Sequence, residues 1–321
     1  MNRISFTVLA AAMALAPLLG KAQSFPEKPI TFVVPFAAGT ATDQIARALG
    51  NQITAETRQA VIIDNRAGAS GFIASQNVAK AAPDGYTVLI TTNTTHAANE
   101  HLFKKLPYDP VKDFAPITGL GKGGQIMVVE PNFPAKNVAE FLALAKKEPG
   151  KYSFGSGSSS SRMAGELLQQ MADIKLLHVP YKSNTLAVTD LLGGQISMMI
   201  TDTATGLPQV KAGKLRALGM SSASRSPLAP DVPTIAESGV KGYEMGYWFA
   251  AYAPAKTPSS VVSRLNELLV KAAKSDAARA AFYEPTGTEV FTTSPEEMAK
   301  FQAGESQKWG RIVKSAGIQA E

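Results

Sequence analysis

The strongest constraint on this chain is a rhythm. Apolar, β-branched runs alternate with amphipathic stretches of helical length, first from Pro29 to about Thr92 as ITFVVPF, TDQIARALGNQI, AVIID, SGFIASQNVAKAA and YTVLITT. Such runs, spaced by such helices, predict parallel strands covered on both faces, a doubly wound α/β layer. After the glycine-rich GLGKGG at 119–124 the rhythm resumes with QIMVVE and continues through YSF, LLHVPY and SMMIT to LRALGM, each separated by a helical stretch. The pattern recurs without any recurrence of sequence. A chain of 321 residues also exceeds the ~250–300 at which one core usually stops growing, so two α/β lobes with a cleft between them are predicted.

The end of the chain reads differently. YEMGYWFAAYAP reads as one long buried strand, and two long helical stretches follow it. Val262, Leu265, Leu269 and Ala272 share one face of the first, while Ser294, Pro295 and Glu297 give the second a cap, a proline at its first position and a capping box. These helices are expected to cover lobe one, so the chain crosses between lobes more than once. The expected division is 25–124 with 252–321 for lobe one and 125–251 for lobe two.

Residues 1–22 are set apart from the fold. Arg3, an apolar stretch from Phe6 to Leu19 and the small residues Gly20 and Ala22 read as a secretory signal cleaved after Ala22. Its removal lowers the net charge from +6 to +4, and the basic residues are scattered rather than interleaved with aromatics, which argues against nucleic acid as a partner. The chain has no cysteine, hence no disulfide, thiolate nucleophile or cysteine metal site. The three histidines, His96, His101 and His178, lack metal-ligand spacing, so neither metal nor cofactor is expected.

In an open α/β sheet, ligands bind beyond the carboxyl ends of the strands. Three segments fall there. In VPFAAGTATDQIA, Phe36, Ala37, Ala38 and Gly39 lead to Thr40 and Thr42, where a close backbone approach and hydroxyls at a helix start could receive an anion; an ordinary turn with Thr42 or Asp43 as cap is the plainer reading. In TTNTTHAAN, Thr92, Asn93, Thr94 and His96 supply neutral hydrogen-bonding groups that suit recognition better than acid–base work. In FGSGSSSSRMAG, Ser158 and Ser161 flank a helix start, and Arg162 stands in the first turn, where a cation opposes the helix dipole by about 0.3–1 kcal/mol. Either Arg162 turns to water or an anion sits beside it, taken bidentately by the guanidinium fork. His178, in LLHVPY, reads as a core histidine. Asp202, at a strand end, could be a base, hold a polar group of a ligand or cap the next helix.

The blocks PITFVVPFAAGTATDQIARAL, IIDNRAGASG, APDGYTVLITTNTTHAAN, LPYDPVKDFAPIT, HVPYK, TDLLGGQI, KAGKLRALG, DVPTIAESG and APAKTP, in this order, closely resemble the Bug family of periplasmic solute receptors, which serve tripartite tricarboxylate transporters. The resemblance implies a hinged two-lobed receptor of Venus-flytrap form in the periplasm of a Gram-negative bacterium. Each lobe is then a mainly parallel sheet covered by helices, and the receptor closes on a small carboxylate and presents it to integral membrane subunits, as a monomer, without catalysis or cofactor. It carries one ligand carboxylate to the loops Phe36–Thr42 and Thr92–His96, the other end to lobe two. There the chain departs from the family: Arg162 stands at the customary His, the usual YKGxxPA is Tyr181 to Ala187 with Ser183 for the glycine, and Ile200-Thr201 replaces a Phe-Asp pair. A permanent planar cation favours a second carboxylate, and Trp248, Phe249, Phe36 and Tyr181 could face an aromatic or medium-length middle. The expected ligand is therefore a dicarboxylate. The alternative is a periplasmic hydrolase-like enzyme acting on a small carboxylate.

Overall fold

The computed structural model describes residues 25–315 and 317–320; the expected signal segment 1–22 lies outside the described residues. Ten strands follow in chain order: β1 Ile30–Val34, β2 Val61–Asn65, β3 Thr87–Thr92, β4 Phe114–Val129, β5 Ser153–Ser156, β6 Leu177–Pro180, β7 Met198–Asp202, β8 Arg216–Met220, β9 Gly246–Pro254 and β10 Glu289–Val290. Between them lie α1 Ala41–Thr57, α2 Phe72–Ala79, α3 Asn99–Leu102, α4 Val138–Lys147, α5 Ser159–Ala172, α6 Asn184–Leu192, α7 Thr203–Lys211 and α8 Ser259–Lys274, and a last helix spans Pro295–Ser315. No described helix is long and apolar enough to cross a membrane.

The strands make two sheets that share β4. Lobe one is ordered β2-β1-β3-β9-β4, with β10 also on β4; lobe two is ordered β4-β7-β5-β6, with β8 also on β4. β4 changes partners between Gly124, opposite Gly246 of β9, and Gln125, opposite Asp202 of β7. β1 is parallel to β2 and β3, and β5 to β6 and β7, while every pair that involves β4 or β9 is antiparallel. A strand that leaves one lobe for the other and a strand that returns must run in opposite directions, which makes the sheets mixed.

β9 also corrects a boundary. Residues 246–251, expected in lobe two, belong to a strand that pairs with β3 from Thr92↔Phe249 to Leu89↔Tyr252 and so lie in the sheet of lobe one. GYWFAAYAP is one apolar run with no turn residue inside it, so nothing in the sequence marks where the return crossing ends. Leu265 and Leu269 of α8 are fully buried, and Val262 and Ala272 nearly so, in one apolar cluster with α1 and β4. The last helix opens as expected, with the Glu297 N–H donating to Ser294 Oγ at 3.1 Å and the Ser294 N–H to Glu297 Oε2 at 2.8 Å.

Candidate functional site

The segments that follow β1, β2 and α3 in lobe one and β5 and β6 in lobe two line a cleft of about 410 Å³, within the range of small-molecule sites. Lobe one contributes Pro35, Phe36, Gly68, Ser70, Leu102 and Phe103; lobe two contributes Ser156 to Ser159, Arg162, His178 and Tyr181 to Lys182. Deeper in, Phe36, Gly157 and Ser158 also border a smaller recess lined by Thr40, Thr42, Thr92, Ser160, Asn184, Asp202, Tyr247 and Phe249. Among the described residues, Arg162 and Lys182 are the charged ones that line the outer cleft, and none of the lining residues is an acid.

The loop after β1 is pinned from below. Asp43, 2% exposed, accepts from the Gly39 N–H at 2.9 Å, Arg47 Nε at 3.0 Å and Asn65 Nδ2 at 3.0 Å. Burial alone would raise its carboxyl, but these donors outweigh it and hold Asp43 below its usual range. Asn65 Nδ2 reaches the Phe36 carbonyl as well, at 3.1 Å, so one carboxylate sets the path from Phe36 to Thr40. Gly39, at φ +81°, makes the turn, and neither Ala37 nor Ala38 is among the described residues that line the cleft or the recess. Thr40, not Thr42 or Asp43, is the helix cap residue, and its hydroxyl donates to the Ala37 carbonyl at 2.8 Å.

After β3 the chain takes a wide π-type turn, Thr94–Ala98. Of the four candidates here only Thr92 reaches the recess. Asn93 is fully buried and donates to the Gly246 carbonyl at 3.2 Å; Thr94, also fully buried, donates its N–H to Thr92 Oγ1 at 3.1 Å. His96 is a core residue, contrary to expectation. Its ring stacks on Tyr252 with centroids 3.9 Å apart, its Nδ1 lies 2.8 Å from Thr95 Oγ1, and burial pushes it down to about 3, so it is neutral.

In lobe two, Ser158 caps α5 by accepting from the Ser161 N–H at 3.2 Å. Ser161 faces inward and donates to the Ile200 carbonyl, so the hydroxyls that line the cleft are those of its neighbours. Gly157 is obligatory: a Cβ there would lie 1.9 Å from the carbonyl carbon of Ser183 and 2.1 Å from Asn184 N. Its N–H donates to Asn184 Oδ1 at 2.9 Å, and Asn184 Nδ2 donates to Asp202 at 3.0 Å. Asp202 also accepts from the Thr205 N–H at 2.8 Å, so it caps α7 while bordering the recess.

Arg162 faces the outer cleft with its side chain 22% exposed and its Nε 3.9 Å from Glu166 Oε1. Tyr181 lines the same wall, its hydroxyl donating to Asp190 at 2.8 Å; burial and that carboxylate push it up to about 12. His178, read as core from its apolar neighbours, lies on this wall, with Nε2 2.7 Å from Ser156 Oγ and its ring stacked on Phe154. Trp248 is not on it. It is 2% exposed and donates Nε1 to Glu305 at 3.1 Å, while Tyr247 and Phe249, on the opposite face of β9, border the recess. The loop Gly68 to Gly71, overlooked as a site, carries positive φ at Gly68, Ser70 and Gly71 and follows the carboxyl end of β2, a position that qualified it from sequence.

No described group of three or more His, Asp or Glu is placed to hold a metal ion. Residues 45–318 match the model of the tripartite tricarboxylate transporter family receptor. A Pseudomonas protein encoded in the tcbD-tcbE intergenic region is 37% identical over 309 residues, 94% of this chain and 91% of that protein. A structure of an R. palustris protein with adipate is 33% identical, covers 92% of this chain and all of its own, and superposes with a TM-score of 0.89. MatC of Rhodopseudomonas palustris with bound malate is 30% identical, covers 90% of this chain and all of its own, with a TM-score of 0.85. The hydrolase alternative falls with these matches, and the chain belongs to the tripartite tricarboxylate transporter receptors, the Bug-type periplasmic solute-binding proteins, which bind rather than transform their ligands.

Proposed function

We propose that the cleft captures a linear dicarboxylate for delivery to the membrane subunits of a tripartite tricarboxylate transporter. The observation that carries this reading is the composition of the outer cleft: among the described residues, Arg162 and Lys182 line it and no acid does. One carboxylate meets the Arg162 fork, with Ser158 beside it; the other reaches the mouth of the recess, where the hydroxyls of Thr42 and Thr92 can donate. Phe36, which borders both spaces, together with Phe103 and Tyr181, faces the apolar middle, and an aromatic spacer fits these rings as well as an aliphatic one. Adipate and malate, present in the two R. palustris structures, are both dicarboxylates.

The protein acts as a monomer in the periplasm after cleavage behind Ala22. Calorimetric titration of the mature chain with matched mono-, di- and tricarboxylates tests the reading. Diacids bind at least tenfold more tightly than monoacids of the same length, and Arg162→Ala removes that advantage. Monoacids binding as well as every diacid would sink it.

A further inference from the structure

The two walls of the cleft are joined by a hydrogen bond. Ser159, the first residue of α5 in lobe two, donates its hydroxyl to Asn99 Oδ1 of lobe one at 2.9 Å. The amide is oriented unambiguously, because its Nδ2 donates to the Ser70 carbonyl at 2.9 Å and a carbonyl can only accept. The same Nδ2 lies 3.3 Å from the Tyr108 hydroxyl, which donates to the Thr95 carbonyl at 2.8 Å. Asn99 is fully buried, and Ser159 is 6% exposed. Asn99 also opens α3, whose last residue, Leu102, lines the cleft with Ser70.

We infer that Asn99 is a positioning residue for lobe closure: it senses α5 through Ser159 and, in the same contact, holds the Ser70 loop and α3 in the positions they take around a ligand. This rests on the reading of the cleft as the binding site. With its proton committed to Asn99, the Ser159 hydroxyl offers only lone pairs, and a carboxylate cannot use those. Ser159 therefore contributes to affinity through closure and not through recognition. Its loss lowers the affinity of every ligand by one common factor, whereas loss of Arg162 discriminates among ligands. A single intramolecular hydrogen bond corresponds to about fivefold in such an equilibrium.

The test uses the mature chain, which has no native cysteine, with spin labels on cysteines introduced at the exposed Lys80 and Lys175, one in each lobe. In the ligand-free protein, Ser159→Ala lowers the closed-to-open ratio read from the inter-lobe distance distribution by about fivefold. Ser159→Thr restores it, and Ser159→Ala adds nothing in an Asn99→Ala background. Titrated with adipate and with malate, Ser159→Ala weakens both by the same factor. An unchanged distance distribution overturns the inference whether or not either diacid binds. So does a penalty that persists undiminished beside Asn99→Ala, or one that falls on one diacid alone. Failure of the wild-type protein to favour diacids, with the distance shift intact, counts against the dicarboxylate reading and leaves the latch standing.

Discussion

Arg162 Nε lies 3.9 Å from the carboxylate of Glu166, one turn further along α5. That separation is at the outer limit of an ion pair, and the guanidinium lines the outer cleft beside it. Replacing Arg162 by Lys keeps the charge and discards the planar fork. Arg162→Lys is expected to lose about tenfold in diacid affinity and to leave monoacids within about twofold, measured calorimetrically at constant ionic strength.

Glu166 links binding to protons. Burial raises its carboxyl above the usual range, while Arg162 and Gln169 partly counter this. An anion arriving at Arg162 raises it further, so the complex holds more protons than the free protein, and affinity rises as pH falls toward that raised value. Titrations in two buffers of different ionisation enthalpy are expected to show proton uptake on the acid side of neutrality. Glu166→Gln abolishes the uptake and tightens diacid binding about twofold at neutral pH, in line with one weak ion pair.

The fold was legible because it is written in periodicity. The apolar runs of β1, β3 and β7 and the single face of α8 needed no tertiary information. At the site, sequence reached the loops but not the direction of each side chain. Sequence offers Trp248 and Phe249 alike, although of the two only Phe249 borders the recess, with Tyr247, since a strand buried on both faces hides the parity that decides which residue faces a ligand. His96 and His178 exchanged roles for a related reason. The polar setting of His96 is sealed by Tyr252, and the apolar setting of His178 ends at the cleft. Asn99, whose partners lie 29 and 60 residues away, had no local signal.

His96 makes the fold sensitive to acid. Its native value of about 3 lies below the ordinary 6.5, so between these limits the unfolded chain takes up a proton that the native chain refuses. Stability is therefore fully present above about pH 6.5 and falls by about 1.4 kcal/mol per pH unit as pH drops toward 3. His96→Phe loses the contact with Thr95 but also this dependence. In urea denaturation its deficit against wild type at pH 7 should shrink by about half that slope at pH 6 and by nearly the whole of it again at pH 5; a constant deficit would contradict the assignment.

Gly157 tests the geometry of the lobe-two wall. The atoms that a Cβ would strike are backbone atoms of Ser183 and Asn184, which cannot rotate aside. Gly157→Ala is expected to cost about 3 kcal/mol, the upper end of overpacking, and to abolish diacid binding by displacing α6 from α5. Thermal unfolding and titration of the same sample check both.

Tyr247 separates the recess from the far side of the crossing. Its hydroxyl lies 3.0 Å from Thr203 Oγ1 at the start of α7 and 2.9 Å from Thr288 Oγ1 in lobe one. Tyr247→Phe leaves both buried threonine hydroxyls without this partner and is expected to lower stability by about 1–3 kcal/mol. The urea midpoint should fall with the denaturant slope unchanged.

The position of β9 also dictates an order of assembly. β9 lies between β3 and β4, yet its residues follow all of lobe two in the chain. Until residue 254 is available, β3 has an unpaired inner edge and β4 lacks its principal partner in lobe one. The half of the molecule written first is therefore completed last, and lobe one cannot be excised as one contiguous stretch of chain.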